Sequence, residues 1–250
     1  MKKETNIQEV FTLPSKGKIY DVDFNPKVTL RSMTTMEEMK RLSHSDSEYK
    51  VMAEILDDCI QEELPISTYD MCIGDYQFLI QKLRIVTYGP EYKMTIQCPN
   101  CGEIVESTVD LDDISLNEYD ENTDNRLIEL PISKDKIKLK YQTPRMLDLI
   151  KEKSKEMKRK SKELSLNYDL MYIIMSYIDE LNGEKINEIK LEAYARKLNM
   201  KDVYYLLQEG DKLNKKVGLD TSVIAKCKNC GYEVVTTFRI QPEFYGPTFD

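Results

Sequence analysis

The stretch CPNCG at residues 98–102 and its counterpart CKNCG at residues 227–231 decide how this chain folds. Each contains two cysteines separated by two residues and closes with a glycine, and together they hold four of the six cysteines among 250 residues. Cysteine pairs of this spacing serve as redox centres, as disulfides or as halves of a metal site. The choice among the three determines whether two distant parts of the chain are joined.

The residues around the pairs argue against a redox centre and against disulfides. A thioredoxin-like thiol is activated at the N-terminus of a helix, whereas the segments after the pairs, GEIVESTVDL and GYEVVTTFRI, alternate as β-strands do. A disulfide within one pair would close a very short loop and would be labile in reducing cytoplasm. Both alternatives stay open, but the sequence favours a metal site.

A zinc site accounts for both pairs at once. Structural zinc is held in a tetrahedron by four ligands, and the pairs supply four thiolates, namely Cys98, Cys101, Cys227 and Cys230. Cys101 and Cys227 lie 126 positions apart, whereas a zinc ribbon separates its pairs by about 15 to 20 residues. One Zn²⁺ would therefore join two distant half-domains. Because four thiolates leave no vacant coordination position, the ion is predicted to be structural rather than a Lewis acid.

Composition predicts a soluble, folded chain. Apolar residues make up 41%, near the globular average, and no apolar run approaches the roughly 18 residues of a membrane-spanning helix. The N-terminal residues lack a secretory signal, so we expect the chain to remain in reducing cytoplasm. Cys59 continues an apolar helical spacing and is predicted to be a core residue; Cys72 is left without a role.

The net charge of −8 argues against nucleic acid as a partner, because such binding requires clustered cations that release counterions from phosphates. One exception is the basic segment KEKSKEMKRKSKEL at residues 151–164. Its charges recur all round a predicted helix, which is typical of a solvated surface. A zinc-ribbon nucleic-acid-binding or regulatory protein using this helix is the alternative function, and a thiol oxidoreductase is a third.

The sequence lacks the parts of an enzyme. It contains no P-loop, GxSxG, GxGxxG or HExxH motif. The only histidine, His44, lies in the polar turn SHSDS and is predicted to have a surface role. We therefore predict no catalytic residues and no small-molecule substrate.

Hydrophobic patterning predicts a mixed chain of helices and strands. A strand at residues 28–31 precedes two helices within residues 35–62, whose starts are marked by capping-box pairs Thr35–Glu38 and Ser45–Glu48. A third helix is predicted to end at Gly89, and YKMTIQ with IVESTVDL then forms a hairpin around the first cysteine pair.

The second part of the chain repeats this order. KVTLRSMTT resembles KIKLKYQTP, GDYQFLIQ resembles KDVYYLLQ, and the two cysteine segments correspond. The separations are 109, 127 and 129 residues, counted between Lys27 and Lys136, Asp75 and Asp202, and Cys98 and Cys227. A duplication with an insertion of about twenty residues, most simply a longer helical stretch between residues 145 and 199, explains the three separations.

The predicted organisation follows from the repeat. The fold class is α+β, with two homologous halves, each a short strand, helices and a β-hairpin with a CxxCG knuckle, clasped by one zinc site of four cysteines. The segments are a flexible N-terminal tail (1–12), the first half (13–118), an acidic linker (119–135), the second half (136–240) and an extended C-terminal tail (241–250). Within the second half, YDLMYIIMSYIDELNG is predicted as a core helix capped by Asn167 and stopped by Gly183.

Several ordered motifs carry a resemblance to a known family: LPSKGKIY, LRSMTTMEE, DYQFLIQKLRIVTYGPEY, and CPNCG followed by STVDL. These segments resemble the T4-like bacteriophage baseplate protein family over roughly residues 11–118. The second half resembles it mainly through CKNCG and the ending FRIQPEFYG.

The resemblance implies a non-enzymatic hub component or hub-assembly chaperone of a contractile tail, with other phage tail and baseplate proteins as partners and no membrane. It places the chain in host cytoplasm during assembly, and in the virion tail baseplate if the chain is retained. Our hypothesis is that zinc fixes the angle between the halves. LPSKGKIY and the aromatic C-terminal tail would then be presented to neighbouring subunits.

Overall fold

The computed structural model describes residues 7–23, 25–43, 45–160, 166–237, 240 and 242–246. The surface prediction for His44 falls outside these residues, as do residues 161–164 of the basic segment. Within them the chain forms seven helices and eleven strands. The helices are α1 (Thr35–Arg41), α2 (Glu48–Cys59), α3 (Ile73–Tyr88), α4 (Pro144–Lys160), α5 (Tyr168–Tyr177), α6 (Glu188–Ala195) and α7 (Met200–Asn214).

The strands are short. They are β1 (Gln8–Thr12), β2 (Lys27–Arg31), β3 (Glu91–Gln97), β4 (Ile104–Asp110), β5 (Leu116–Asn117), β6 (Leu127–Glu129), β7 (Lys136–Leu139), β8 (Ile178–Leu181), β9 (Gly218–Leu219), β10 (Ser222–Lys226) and β11 (Glu233–Thr237). They pair antiparallel as β1–β2, β3–β4, β5–β9, β10–β11 and the three-stranded β6–β7–β8. Helices packed on small sheets make the fold a mixed α+β architecture, as predicted.

The order of elements runs twice through a similar series. A hairpin (β1–β2 or β6–β7) is followed by helices, then by α3 or α7, and then by the hairpin that carries a cysteine pair (β3–β4 or β10–β11). The second series is longer, because α4 has 17 residues where α1 has 7, and because α6 stands between β8 and α7.

Two segments predicted to be irregular contain strands. Residues 8–12 of the expected flexible tail form β1, which pairs with β2 along its whole length. Residues 127–129 of the expected acidic linker form β6, which pairs with β7. Each strand is short and is stabilised by hydrogen bonds to a partner strand further along the chain. Its own sequence is therefore too weak a signal to predict it.

Both of these strands lead into a Leu-Pro turn held by a buried aspartate. After β1, Asp75 accepts hydrogen bonds from the backbone nitrogen of Ser15 at 2.9 Å, from the Ser15 hydroxyl, and from the Tyr20 hydroxyl at 2.6 Å. Asp75 is the third residue of α3 and is fully buried. Its carboxylate therefore ties the first turn to the start of a central helix.

The turn after β6 has the same construction. Asp202, the third residue of α7 and also fully buried, accepts hydrogen bonds from the backbone nitrogens of Ile132 at 2.7 Å and Ser133 at 3.0 Å. The leucine that opens the turn is buried in both places, as Leu13 and as Leu130. The repeated order of elements thus begins at β1 and β6 rather than at β2 and β7.

The helix predicted to continue to Gly183 ends earlier. Asn167 caps α5 as predicted, accepting from the backbone nitrogen of Asp169 at 3.0 Å. The helix stops at Tyr177, and the next four residues form β8, which pairs with β7. The segment becomes a strand because β7 offers an open edge beside it, and Gly183, with φ of 85°, turns the chain after that strand.

The other helix limits agree closely with prediction. The first capping box lies one residue earlier than expected, with Thr34 as the cap and Glu37 as its partner. The second predicted box, with Ser45 as the cap, is wrong: the residue before α2 is Ser47, and its side chain makes no capping hydrogen bond. Gly89 ends α3 with φ of 91°, which confirms the predicted stop.

Three hydrophobic cores lie among these elements. The first is built on β2, α2 and α3 and includes Cys59, which is fully buried as predicted. The second is built on β7, α5 and α7. The third is small and lies between the two cysteine hairpins.

Parts of the two segments expected to face neighbouring subunits lie in the interior, among the residues that the structure describes. Phe244 and Tyr245 belong to the first core within a 3₁₀ turn, Pro242–Tyr245, and the Phe244 ring meets that of Tyr92 at a centroid distance of 5.1 Å. In LPSKGKIY, Leu13, Pro14 and Ser15 are buried. These side chains therefore belong to the chain's own interior, whereas Lys16 and Lys18 are exposed, and docking of the two segments on neighbouring subunits stays a prediction.

Candidate metal centre

Each cysteine pair is shaped by a tight backbone turn at the tip of its hairpin. In the first, the nitrogen of Cys98 donates to the carbonyl of Glu103 at 2.8 Å, and the nitrogen of Gly102 donates to the carbonyl of Cys98 at 2.9 Å. The glycine has φ of 77°, a conformation that disfavours other residues. The turn leaves both thiols on the same side of the hairpin tip.

The second tip has the same hydrogen bonds. The nitrogen of Cys227 donates to the carbonyl of Tyr232 at 2.9 Å, and the nitrogen of Gly231 donates to the carbonyl of Cys227 at 2.9 Å. Gly231 has φ of 73°. The two hairpins therefore present their thiols in matching geometry, 129 positions apart in the sequence.

The four predicted ligands come together at one point. The ligand sulfur atoms of Cys98, Cys101, Cys227 and Cys230 all lie within 4.8 Å of one another. Across the hairpins, Cys98 Sγ lies 3.7 Å from Cys230 Sγ, and Cys101 Sγ lies 3.7 Å from Cys227 Sγ. A tetrahedron of sulfurs about 2.3 Å from a central Zn²⁺ has edges of about 3.8 Å. The spacing is thus compatible with a tetrahedral metal site.

The sulfur–sulfur distances also show that the four cysteines are not joined as disulfides. All four cysteines are free, and a disulfide joins its sulfurs at about 2.0 Å. The chain continues from each pair into β4 or β11 rather than into a helix. The helix N-terminus that activates a thioredoxin-like thiol is therefore missing at both pairs.

The site rests on the third core. Cys98 and Cys227 are buried, whereas Cys101 and Cys230 are exposed. The buried pair packs with an apolar set drawn from both hairpins, namely Ile96, Val105, Ala225 and Val234. Two cysteines therefore face the protein and two face solvent, and a small apolar core lies between the hairpins.

Two asparagines that the sequence did not single out as partners of the thiols cross between the hairpins. The side chain of Asn229 lies 3.7 Å from Cys101 Sγ, and that of Asn100 donates a hydrogen bond to Cys230. The Asn100 hydrogen bond, followed by one from the backbone of Tyr232, lowers the pKa of the Cys230 thiol to about 6. Donors of this kind favour the thiolate form that a metal requires. The sequence feature that could have identified these two asparagines is their identical position in CPNCG and CKNCG.

The basic segment forms a helix whose charges are largely matched by acidic partners. Ion pairs along α4 join Lys155 to Asp46 at 3.5 Å and Lys158 to Asp169 at 3.7 Å, and a further pair joins Lys160 to Glu156. This arrangement agrees with a solvated surface and offers little support for a nucleic-acid interface. In the part of the chain that the structure describes, none of the helices has the length and apolarity needed to cross a bilayer.

Fold and site together define a class: an α+β protein in which two similar hairpins share a cluster of four cysteines. Residues 5–245, nearly the whole chain, match the model of the family described as T4 bacteriophage base plate protein. The chain therefore belongs to that family, as the resemblance implied, and is a baseplate protein of the T4 type. Searches of curated proteins and of solved structures found no match.

Proposed function

We propose that this chain is a non-enzymatic structural or assembly protein of the hub region of a contractile phage tail baseplate. It acts through interfaces with other tail proteins, in host cytoplasm during assembly and in the virion if it is retained. Membership of the baseplate family over residues 5–245 supports this role. One Zn²⁺ bound by Cys98, Cys101, Cys227 and Cys230 stabilises the chain for that role.

The observation that carries the zinc proposal is the convergence of four thiols from hairpins far apart in the sequence. Two-stranded sheets are marginally stable in water, and each hairpin is a separate two-stranded sheet. Structural zinc contributes about 10 to 16 kcal/mol of apparent binding energy in small peptides. That amount is comparable to the entire stability of a domain, so the metal would be the main link between the hairpins.

We infer in addition that the two series of elements arose by duplication. The repeated hairpin, Leu-Pro turn and buried aspartate support this, as do the matching cysteine turns. The second copy then starts near residue 127, and the extra residues lie in the longer α4 and in α6. A Zn²⁺ between the hairpins would sit at the point where the two copies meet.

The metal is tested by elemental analysis of protein purified without added zinc. We expect one zinc per chain, and chelation should make four additional thiols reactive together. Cys59→Ala is the matched control, since this buried thiol lies in the first core and should leave the metal content unchanged. Protein that contains no metal and retains its stability in chelator would contradict the proposal.

The role is tested on the phage. Co-purification of the chain with other tail proteins from infected cells supports it, and failure to associate with any tail protein opposes it. Mass spectrometry of purified particles then separates a permanent baseplate component from an assembly factor that leaves before completion.

A further inference from the structure

Two strand-to-helix units in this chain allow a position-by-position comparison. In the first, β2 leads to Thr34 and α1; in the second, β7 leads to Thr143 and α4. A cation stands three residues before each threonine, Arg31 in one unit and Lys140 in the other. Three residues after the threonine, however, the first unit has Glu37, whereas the second has Met146.

In the first unit the cation is satisfied internally. Arg31 Nη2 and Nη1 donate to the carboxylate of Glu37 at 2.9 and 3.3 Å, and Nη2 also donates to the carbonyl of Asp58 at 2.9 Å. Glu37 is only 6% exposed. The hydrogen bond from Arg31 lowers the pKa of Glu37 to about 2. Arg31 and Glu37 therefore form a bidentate ion pair, in which charge-assisted hydrogen bonds are strong.

In the second unit the acid is replaced by Met146, and the described residues give Lys140 neither an ion pair nor a side-chain hydrogen bond. Burial lowers the pKa of this half-buried lysine. The nearby carboxylate of Asp179 is already engaged by Lys138 at 3.4 Å and Lys185 at 4.0 Å. Lys140 feels the charge of Asp179 but forms no ion pair of its own, and a partly buried cation in that position is costly.

Lys140 and Met146 stand where two cavities meet, since both residues line both of them. The first cavity has a volume of about 270 Å³ and is largely apolar. Its walls come mainly from α4, α5 and α6, through Leu149, Ile150, Tyr172, Met175 and Leu191. The second has a volume of about 280 Å³ and is polar, with Tyr20, Asp70, Arg126, Lys138, Asp179 and Lys185 among its walls. The two neighbouring cavities, one apolar and one charged, are together called the groove below.

We propose that this groove binds an extended segment of a partner protein, with a bulky apolar side chain in the first cavity and a neighbouring carboxylate paired with Lys140. The partner carboxylate would take the place that Glu37 occupies in the first unit. The other cations of the groove already have acidic partners: Arg126 pairs with Asp124, Lys138 with Asp179, and Lys153 with Glu188. Of the carboxylates in the second cavity, Asp70 pairs with Arg145 and Asp179 with Lys138, and Asp21 is exposed to solvent. The half-buried charge of Lys140, which has no ion pair of its own, therefore favours an acidic ligand.

A protein segment fits the groove better than a simple anion does. Phosphate would use the charged end and leave the apolar walls in water, whereas a peptide fills both ends. Each cavity is near the small end of the range for ligand pockets, about 300 Å³, and suits one or two side chains. The inference rests on the proposed role as a protein that binds other tail proteins, and it specifies the chemistry of one such partner.

The test uses the 250-residue protein as purified and a library of eight-residue peptides. In the acidic library Leu, Met or Phe is fixed at one position, and Asp or Glu follows one to three positions later. A matched library carries Asn or Gln in place of the acid. We expect the acidic library to be enriched on immobilised protein. In the best peptide, amide replacement of the acid should weaken binding roughly ten- to hundredfold, the range for a lost charged hydrogen bond.

Three variants complete the test, with binding measured by fluorescence anisotropy and folding by thermal unfolding. Lys140→Met should weaken the best peptide as much as amide replacement does. Met146→Glu should abolish binding, because the new carboxylate pairs with Lys140 as Glu37 pairs with Arg31. Lys134→Met, an exposed lysine that does not line either cavity, is the control and should bind like the wild type.

Equal enrichment of the acidic and amide libraries would overturn the proposal, as would unchanged binding by Lys140→Met. Inorganic phosphate that displaces the peptide while peptides without an apolar residue bind equally well would show a plain anion site instead. These failures leave the proposed function standing, since metal content and co-purification with tail proteins are measured separately.

Discussion

The unit of β2 and α1 and the unit of β7 and α4 share a backbone plan and differ in one decisive side chain. Glu37 closes an internal ion pair with Arg31, whereas Met146 leaves Lys140 beside an open groove. The same strand-turn-helix arrangement thus stabilises the protein in one place and, by our proposal, binds a partner in the other. An ion pair that is satisfied internally cannot also recognise an external acid, so the two roles require different residues.

The cysteine hairpins show the opposite behaviour. Their turns have the same hydrogen bonds, and each supplies one buried and one exposed cysteine. The tetrahedral metal site proposed above would need both pairs in matching geometry, so neither hairpin would be free to change alone. Similarity between the two series is therefore greatest where their four cysteines cluster.

The largest expected effect tests that equivalence. Cys98→Ser and Cys227→Ser should each lose the metal and a large part of the roughly 10 kcal/mol or more that structural zinc contributes. Metal analysis and urea unfolding of the two variants provide the measurement. The effects should be equal within about 1 kcal/mol, because the two cysteines occupy equivalent buried positions. If one variant kept its metal, the equivalence of the hairpins would be wrong.

The buried aspartates give the next largest effect. Asp75→Ala would strand three donors, from Ser15 and Tyr20, and we expect a loss of about 3 to 5 kcal/mol in the free energy of unfolding. Asp202→Ala would strand two backbone nitrogens and should cost about 2 to 4 kcal/mol. Chemical denaturation checks the order, and a larger loss at Asp202 would show that the two turns are not held in the same way.

The clustering of the four cysteines and most helix limits could be predicted from sequence, because the signals are local. A CxxCG turn specifies its own geometry, and Asn167 and Gly89 mark helix ends within one turn of the helix. The pairing of two CxxCG turns in one chain then implied the shared site. The four sulfurs within 4.8 Å agree with that prediction.

The elements that were missed depend on distant partners. β1, β6 and β8 are strands because β2 and β7 offer edges to pair with, and nothing in QEVFT, LIE or IDEL shows this. The burial of Phe244 likewise depends on a gap left by other elements of the first core. The recurrence of LPSK and LPISK was the available signal for the second turn, and it lay in a segment whose acidic composition suggested a linker.

Close packing at the start of α3 provides a smaller effect with a control in the second series. A Cβ on Gly74 would overlap the carbonyl oxygen of Val217, and the facing residue, Gly218, is also a glycine. Because the obstacle is backbone, Gly74→Ala should destabilise by about 2 to 3 kcal/mol, the usual cost of overpacking. Lys201, at the same position of α7, is exposed, and Lys201→Ala should change stability by less than about 0.5 kcal/mol. Thermal unfolding of both variants is the measurement, and equal effects would contradict the assigned crossing of α3 with residues 217–218.

The smallest effect concerns acid stability and distinguishes the two strand-to-helix units. The hydrogen bond from Arg31 lowers the pKa of Glu37 from its ordinary value of 4.5 to about 2. A lowered carboxyl pKa stabilises the folded state above the unfolded value, and the contribution is lost as the pH falls from about 4.5 towards about 2. Glu37→Met should therefore cost about 1 to 2 kcal/mol near neutral pH, and the difference from the wild type should shrink with acid. Urea unfolding at pH 7, 5 and 3 measures this.

Met146→Glu should have the opposite effect and add acid-sensitive stability to the second unit, because a carboxylate there can pair with Lys140. The same urea unfolding at pH 7, 5 and 3 measures it. If the stability difference from the wild type were independent of pH, Lys140 would not be within reach of that position.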